Sequence, residues 1–392
     1  MELTPAQRAL SLAAVITASF GVGCSFGVGF PLTALTLEAW QEPKWVIGLA
    51  GATPAIAVLM ALPFLPKLAG RIGAVAAIAW GCAVAGAGFL ALYLVGDAFT
   101  WIAVRFAMSI GLALPWLVGE TWINTVSTEG IRGRVIALYA IAFFAGFATG
   151  PLILDMLGST GLAIFLAGAA GSVLAGVPII LARRLAPDLT HDDPKNLRAA
   201  IRLAPVGMMC GFIGGFAEIS YLSLLPNVAI ASSHSEAYAL WLLSLMTIGG
   251  GVLQFPIGWL ADKVDKVLVS SGLSVLFVLM SLALPWTLSS STLAPVMVFM
   301  LGGVILGFYT LGLAIIGEEA SAKDLAAVNA GYLVMYNSGA VVGPVASGVA
   351  MTASPVQGFI FVIVGLMTFS AIILIVLARR ERRQRAGSHS GT

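Results

Sequence analysis

Charge is scarce in this sequence. Asp, Glu, Lys and Arg make up 10% of its 392 residues, whereas a soluble domain usually carries about 25%. Apolar residues make up 59%, and the mean hydropathy is +1.00. A water-soluble fold of this composition would lack the polar surface that keeps a protein dispersed, so the composition indicates a membrane protein.

Cysteine, histidine and basic clusters are too few for several kinds of site. The three cysteines, Cys24, Cys82 and Cys210, are odd in number and lie in apolar stretches, which excludes a secreted disulfide scaffold. A net charge of +2 argues against a nucleic-acid-binding face. The histidines lack metal-ligand spacing, and no G-x-x-x-x-G-K-[ST] loop is present. We therefore expect no metal, no bound nucleotide and no other cofactor.

The apolar residues are gathered into twelve runs. A membrane-spanning helix needs about 20 mostly apolar residues, and suitable runs lie at 9–36, 45–66, 73–95, 100–123, 135–157, 161–182, 205–230, 237–261, 267–288, 294–317, 326–351 and 356–378. Helices are expected because they pair each backbone amide within their own segment. The first run lacks a clear cleavage site, so we expect it to be retained. The sequence thus predicts a multi-pass protein of the plasma membrane, which in bacteria is the inner membrane.

The lysines and arginines predict an orientation. If the N-terminus is cytoplasmic and twelve helices alternate, all but two of the 20 lysines and arginines fall on the cytoplasmic side. The exceptions are Lys44 and Arg105. Because cytoplasmic segments carry an excess of these residues, we expect both termini in the cytoplasm. The basic tail at 379–392 is expected to bind anionic lipid.

The chain divides into two similar halves. The longest polar stretch follows the sixth run, so we predict a six-helix bundle at 1–182, a cytoplasmic linker at 183–204 and a second six-helix bundle at 205–378. Gly146-x-x-x-Gly150-Pro151 recurs in the second half as Gly339-x-x-x-Gly343-Pro344. Two six-helix halves repeated in parallel are a known architecture of secondary transporters.

Three motifs resemble those of the major facilitator superfamily, and the resemblance covers nearly the whole chain. The stretch Gly258-Trp259-Leu260-Ala261-Asp262-Lys263-Val264-Asp265-Lys266 is similar to its G-x-x-x-D-R/K-x-G-R/K loop. Arg105 with Gly111 is similar to its R-x(5–6)-G motif, and Gly146-x-x-x-Gly150-Pro151 to its G-x-x-x-G-P-x-x-G-G antiporter motif. The sequence departs from these motifs at Gly70, where the first-half loop should be acidic, at Asp265, and at Leu154-Asp155.

Within the superfamily, Val118-Gly119-Glu120 and Arg132-Gly133-Arg134 most resemble the YcaD-type branch, exporters of poorly defined substrate. The resemblance implies an all-α membrane fold of twelve helices in two pseudo-symmetric bundles. It also implies a transporter rather than an enzyme, with a small-molecule substrate. A proton gradient would supply the energy, and we expect a monomer.

Two of the charged residues inside the predicted spans are candidates for a role in transport. Glu218 lies about 13 residues into the seventh helix, roughly 20 Å from its start. A carboxylate shielded from water takes up a proton more readily than an exposed one, so Glu218 is either a proton-coupling residue or a hydrogen-bonded structural acid. Arg105 stays charged. It is expected to take part in coupling, to hold an anionic group of the substrate, or to form a structural ion pair.

A cytoplasmic gate is expected where the fourth helix leaves the membrane. Glu120 is about 22 Å along the helix from Arg105, so we expect it to lie near Arg132 or Arg134. By resemblance, Asp262 pairs across the halves and, with Lys263 in the same loop, holds the outward-open state. Gly70 stands where the first-half loop would carry the corresponding acidic residue, so we expect such a latch in the second half alone.

Helix five and helix eleven carry a repeated site for bending. Glycines four residues apart let helices approach closely, and proline removes a backbone donor. We therefore expect Gly150-Pro151 and Gly343-Pro344 to bend these helices at the boundary between the halves and to serve a rocking motion.

Aromatic and mildly polar side chains in the spans are expected to line a substrate cavity suited to an amphiphilic or aromatic solute. They are Trp116, Tyr221, Trp241, Gln254, Tyr309, Tyr332, Tyr336 and Asn337. Taken singly, each aromatic also fits lipid-facing or interfacial packing.

Three functions stay open on the sequence alone. The antiporter motif favours proton-coupled efflux of a small organic solute. Proton-coupled uptake of an anionic metabolite, with Arg105 as the anion site, is the alternative that Leu154-Asp155 keeps open. A non-transporting sensor or assembly factor is disfavoured, because no soluble domain is attached and both charges persist inside the membrane.

Overall fold

The computed structural model describes residues 3–187, 201–320 and 324–389. In these ranges twelve helices are long and apolar enough to cross a membrane, which confirms the predicted number of spans and the all-α class. The first half contains α1 (Pro5–Ala39), α2 (Lys44–Ala61), α3 (Leu65–Ile72), α4 (Ala74–Tyr93), α5 (Ala98–Val126), α6 (Glu129–Leu157) and α7 (Leu162–Leu181). The second contains α8 (Pro205–Ala231), α9 (Glu236–Lys263), α10 (Lys266–Leu288), α11 (Leu293–Glu319), α12 (Leu325–Met351) and α13 (Pro355–His389).

The structure corrects the second predicted span. The run 45–66 was expected to be continuous, but α2 ends at Ala61 and the short helix α3 follows it. Pro63 lies in the turn between them and cannot donate a helical hydrogen bond. Pro66 stands in the first turn of α3, where a missing N–H costs little. Gly73, with φ of 84°, then reverses the chain into α4.

The last helix is longer than predicted, because its backbone stays helical through the basic segment as far as His389. The predicted tail at 379–392 therefore begins as a continuation of α13. Most of the predicted linker, residues 188–200, lies outside the described residues.

Glycines pack the first and fifth spans of each half tightly together. In the first half, a Cβ on Gly23 or Gly27 of α1 would overlap the α6 backbone, and one on Gly150 of α6 would overlap the α1 backbone at Gly27. In the second half, Gly215 of α8 and Gly339 of α12 meet in the same way. The repeated motif therefore builds equivalent helix pairs in the two halves.

One apolar core joins the two halves at the end of the molecule where α1 stops and α2 begins, called here the joined end. Leu35 and Ile47 of the first half share this core with Leu224 and Val228 of the second. The opposite end, where α6 and α12 begin, is called here the split end. Its described core residues form separate clusters, one within the first half and two within the second. The halves thus share one core at the joined end, whereas their described cores are separate at the split end.

Candidate functional site

A cavity lies between the two halves near the middle of the spans. Its walls come from α6 of the first half and from α8, α9 and α11 of the second. They are lined by Phe144, Phe147, Glu218, Leu222, Met246, Thr247, Gly250, Gly302, Ile305 and Leu306. The empty space, including the part that is open to solvent, is about 320 Å³. Glu218 is the one charged residue among these lining residues.

The Glu218 carboxylate is held by a tyrosine from α12. The hydroxyl of Tyr336 donates a hydrogen bond of 2.8 Å to Oε2 of Glu218. Gly215, nearly one turn earlier on α8, makes this possible, because a Cβ there would overlap the backbone carbonyl of Tyr336. The close approach of α8 and α12 therefore places a donor against a carboxylate that also faces the cavity.

Two more of the predicted cavity residues pack behind Tyr336. The ring of Tyr309 stands 5.6 Å from the rings of both Tyr332 and Tyr336. The Tyr332 hydroxyl donates to the backbone carbonyl of Tyr309 at 2.9 Å. The structure thus brings three predicted tyrosines together in one cluster beside Glu218.

Gln254 and Asn337 make their hydrogen bonds within the second half. Gln254 donates to the carbonyl of Gly250 at 2.7 Å and accepts from Thr310 of α11. Asn337 is buried and donates to the carbonyl of Leu333 at 2.8 Å. Gln254 lies one turn from the cavity wall at Gly250, whereas Asn337 caps a carbonyl of its own helix.

Tyr221 and Trp241 lie away from the cavity. Tyr221 is fully buried: its hydroxyl is 3.0 Å from that of Ser281, and its ring packs nearly perpendicular to that of Phe359, with centroids 5.0 Å apart. It therefore packs α8 against α10 and α13. Trp241 is 41% exposed and lies beside Tyr238 near the joined end.

Glu120 faces the tyrosines, not the arginines with which it was predicted to lie. Its carboxylate is hydrogen-bonded by Trp116, and it interacts electrostatically with Tyr139 of α6 and with Tyr309 of the other half. Arg132 and Arg134 are exposed at the start of α6. Among the described side chains they form no ion pair with Glu120. Glu120 and Glu218 thus approach the tyrosine cluster from opposite halves.

Arg105 lies apart from Glu218. It is 5% exposed and donates to the carbonyl of Gly29 at 2.6 Å, with Phe30 5.5 Å from the guanidinium carbon. Phe30 in turn stacks on Phe147, a wall of the Glu218 cavity, with ring centroids 6.1 Å apart. An aromatic pair therefore stands between the two charges.

The structure places the predicted gate residues Asp262 and Lys263 in the last turn of α9, exposed at the split end. Asp262 has no ion-pair partner among the described side chains, and Lys263 lies 4.0 Å from the ring centre of Trp259.

The four residues predicted to bend helices lie either inside one half or at the boundary between the halves. Gly150 packs on α1, and Gly343 packs on Phe216 of α8, each inside its own half. Pro344 lies at the boundary, where its carbonyl leaves no room for a Cβ on Gly48 of α2. Pro151 precedes the last part of α6 within a continuous helix.

A polar contact at the joined end was missed by the sequence reasoning. Asn227 of α8 donates to Oε2 of Glu38 in α1 at 2.7 Å, and Lys44 of α2 pairs with the same carboxylate. Lys44 stood out as one of two cations away from the predicted cytoplasmic side, and that exception was the available signal. No signal in the sequence pointed to the cavity-lining residues Phe144 and Phe147, because their stretch of the fifth run is apolar throughout.

Comparison with known proteins agrees with this architecture. A model of the Major Facilitator Superfamily matches residues 9–206 and 207–392. An MFS-type transporter named YcaD from Escherichia coli is 26% identical over 352 residues, 88% of this chain and 90% of that protein.

Two solved structures are similar in fold. A mutant of the nucleoside transporter NupG has a TM-score of 0.79 at 15% identity, covering 93% of this chain and 99% of that one. A bacterial homologue of the human lysosomal transporter Spinster, inward-facing and occupied, has a TM-score of 0.72 at 14% identity, with 96% of each chain covered. At these identities the likenesses show the fold alone.

Proposed function

The chain belongs to the major facilitator superfamily, and we propose that it is a proton-coupled antiporter that exports a small organic solute. By family and fold it is a transporter. The twelve apolar helices among its described residues and its enterobacterial relatives make it a multi-pass protein of the bacterial inner membrane. One chain supplies every wall of the cavity, which supports a functional monomer.

The observation that carries the proposal is the place of Glu218. It lies at mid-depth, on the wall of the cavity between the halves, bonded to Tyr336. Ionisable residues inside membrane spans are rare and mark ion or substrate pathways, so each is by default a candidate functional residue. A carboxyl at the boundary can exchange its proton with whichever side the cavity faces, which is what coupling requires.

The two ends of the molecule support alternating access. The joined end is closed by a core shared between the halves, and at the split end the cores are separate. If the lysines and arginines mark the cytoplasmic side, the split end faces the cytoplasm and the conformation is inward-facing. The unpaired Asp262 fits this state, since a latch that holds the outward-open state is released here.

The walls of the cavity support an amphiphilic or aromatic solute. Phe144 and Phe147 face Leu222 and Met246 across a largely apolar space, with Thr247 as a hydroxyl and Glu218 as the charge. Apolar walls with a few placed polar groups are typical of small-molecule sites. Proton-coupled uptake of an anionic metabolite remains the second candidate, favoured by the buried guanidinium of Arg105.

The direction of coupling can be measured in proteoliposomes that contain the pH dye pyranine, with the membrane potential clamped by valinomycin and potassium. Tetraphenylphosphonium, ethidium, uridine and benzoate serve as the solute panel. In antiport, solute entry drives protons out and the lumen becomes alkaline. In symport, the lumen becomes acidic, and that result with every active solute would overturn the export proposal.

Glu218→Gln tests the coupling residue in the same assay. We expect the solute-driven pH change to disappear, while exchange of labelled for unlabelled solute continues. Glu318→Gln is the matched control, since that carboxylate lies at the exposed end of α11, bonded to Lys266 at 2.5 Å. An undiminished pH change in Glu218→Gln would show that Glu218 is not the coupling residue.

A further inference from the structure

Arg105 is a permanent positive charge with incomplete hydrogen bonding. An arginine side chain stays protonated in proteins, and this one is 5% exposed within a membrane span. Its Nη1 donates to the carbonyl of Gly29 at 2.6 Å. Its buried Nε has no hydrogen-bond partner in the described structure.

No described carboxylate neutralises this charge. Two ion pairs at the ends of the molecule, Lys44 with Glu38 and Lys266 with Glu318, do not include Arg105. Glu218 stands beyond the stacked rings of Phe30 and Phe147. An uncompensated charge in a protein interior costs several kcal/mol, so a counter-charge at Arg105 would stabilise the first half.

A cavity adjoins the guanidinium inside the first half. It is lined by Ser25, Phe26, Gly29, Pro54, Arg105, Met108, Ser109 and Leu112, and its empty space, including the part that is open to solvent, is about 260 Å³. Gly29 leaves room for the guanidinium, because a Cβ at this position would lie only 3.1 Å from Nη1 of Arg105.

The hydroxyls that line this cavity already use their protons. Ser109 donates to the carbonyl of Arg105 at 2.7 Å, and Ser25 donates to the carbonyl of Gly21 at 3.0 Å. The buried Nε–H of Arg105, a residue that lines the cavity, is therefore left without an acceptor in the described structure. One charged side chain in an otherwise mostly apolar wall suits a compact, singly charged anion. A phosphate dianion would need several further donors.

We propose that this cavity binds a compact monovalent anionic group, the size of chloride or of a carboxylate, against Nε of Arg105. The bound group completes the hydrogen bonding of the guanidinium and neutralises its charge. The site lies within the first half, so it exists independently of solute export through the Glu218 cavity. A free halide and the carboxylate of a small organic acid share this chemistry.

Thermal unfolding of the purified full-length protein tests the proposal without any transport assay. The protein is prepared in sodium gluconate and titrated with sodium bromide or sodium acetate at constant ionic strength. A ligand that binds the folded state raises the unfolding midpoint saturably. Saturation by bromide identifies a free halide as the occupant, and saturation by acetate alone identifies a carboxylate group. Equal midpoints in all three salts would overturn the site.

Arg105→Gln is expected to abolish the saturable shift, whereas Arg71→Gln, an exposed cation of α3, is expected to keep it. If Arg105→Gln does not fold, anomalous scattering from wild-type crystals grown with bromide gives the answer. Density within hydrogen-bond distance of Nε supports the site. Bromide bound elsewhere, with none at Arg105, contradicts it.

Discussion

Asn227 of the second half donates a hydrogen bond of 2.7 Å to the carboxylate of Glu38 in the first half. Lys44 pairs with the same carboxylate from α2. These three residues link α1, α2 and α8 at the joined end, directly above the apolar core that the halves share. Because the contact spans the two halves, we expect it to stabilise the conformation in which that end is closed.

Asn227→Ala is expected to weaken the closed joined end. A hydrogen bond to a charged group is worth about 1.5–3 kcal/mol, so the population open at this end should rise about 10- to 100-fold. Spin labels at Gln41→Cys and Ala231→Cys, measured by double electron–electron resonance, should show an added longer distance. Asn124→Ala, which removes a bond within one helix, should leave the distances unchanged. An unaltered distribution in Asn227→Ala would show that the bond does not hold the two halves together.

Gly48→Leu is expected to prevent the joined end from closing, because a Cβ at Gly48 would overlap the carbonyl of Pro344 across the boundary. Overpacking costs about 1–3 kcal/mol, and here α2 and α12 can relieve it by separating. The same spin-label pair should move to longer distances, and solute exchange should fall about tenfold. Gly171→Leu, in a span where nothing lies within 4 Å, is the control. Normal closure with Leu at position 48 would contradict the packing described.

Gly150→Leu is expected to act on stability instead of conformation. Gly150 packs on the backbone of α1 inside the first half, where the two helices cannot separate without losing the bundle. The unfolding midpoint should fall by several degrees, as about 1–3 kcal/mol of overpacking implies. Gly365→Leu, with open space around it, should leave the midpoint unchanged. A stable Gly150→Leu protein with altered label distances would instead place this glycine in the conformational change.

Asp97 is expected to give α5 a pH-dependent cap. Its side chain accepts the backbone N–H of Thr100 at 2.9 Å, and this hydrogen bond lowers the pKa of the carboxyl. The folded protein then binds this proton more weakly than the unfolded chain. The stabilisation is therefore present above the usual pKa of 3.8 and is lost as pH falls through the lower, folded value.

Asp97→Ala should thus lower the unfolding midpoint at pH 7, and the difference from wild type should shrink at pH 3. Asp97→Asn keeps an oxygen that can cap the helix, so its deficit should be smaller at pH 7. An Ala deficit that stays the same between pH 7 and pH 3 would contradict the charge-assisted cap.

The spans could be predicted because each must cross the same thickness of hydrocarbon, so length and composition alone define them. The helix pairs inside each half could also be anticipated from Gly146 and Gly150 and from Gly339 and Gly343, since such spacing favours close packing. Pro63 was a usable signal for the break after α2, but the residues around it are apolar, so the run 45–66 was predicted as one span.

The direction in which a side chain points could not be predicted so well. Glu218 and Tyr221 are three residues apart on α8, yet one faces the cavity and the other packs on Phe359. A helix that is apolar all round carries no periodic signal for its buried face. The contact of Asn227 with Glu38 joins residues far apart in the chain, and only the assembled halves bring them together.

Solvent access to position 218 tests the central claim most directly. Glu218→Cys is placed in a chain whose Cys24, Cys82 and Cys210 have been replaced, and right-side-out and inside-out vesicles are treated with a membrane-impermeant thiol reagent. Alternating access to a coupling residue at mid-depth predicts labelling from both sides. Labelling from neither side, or from one side alone, would contradict it.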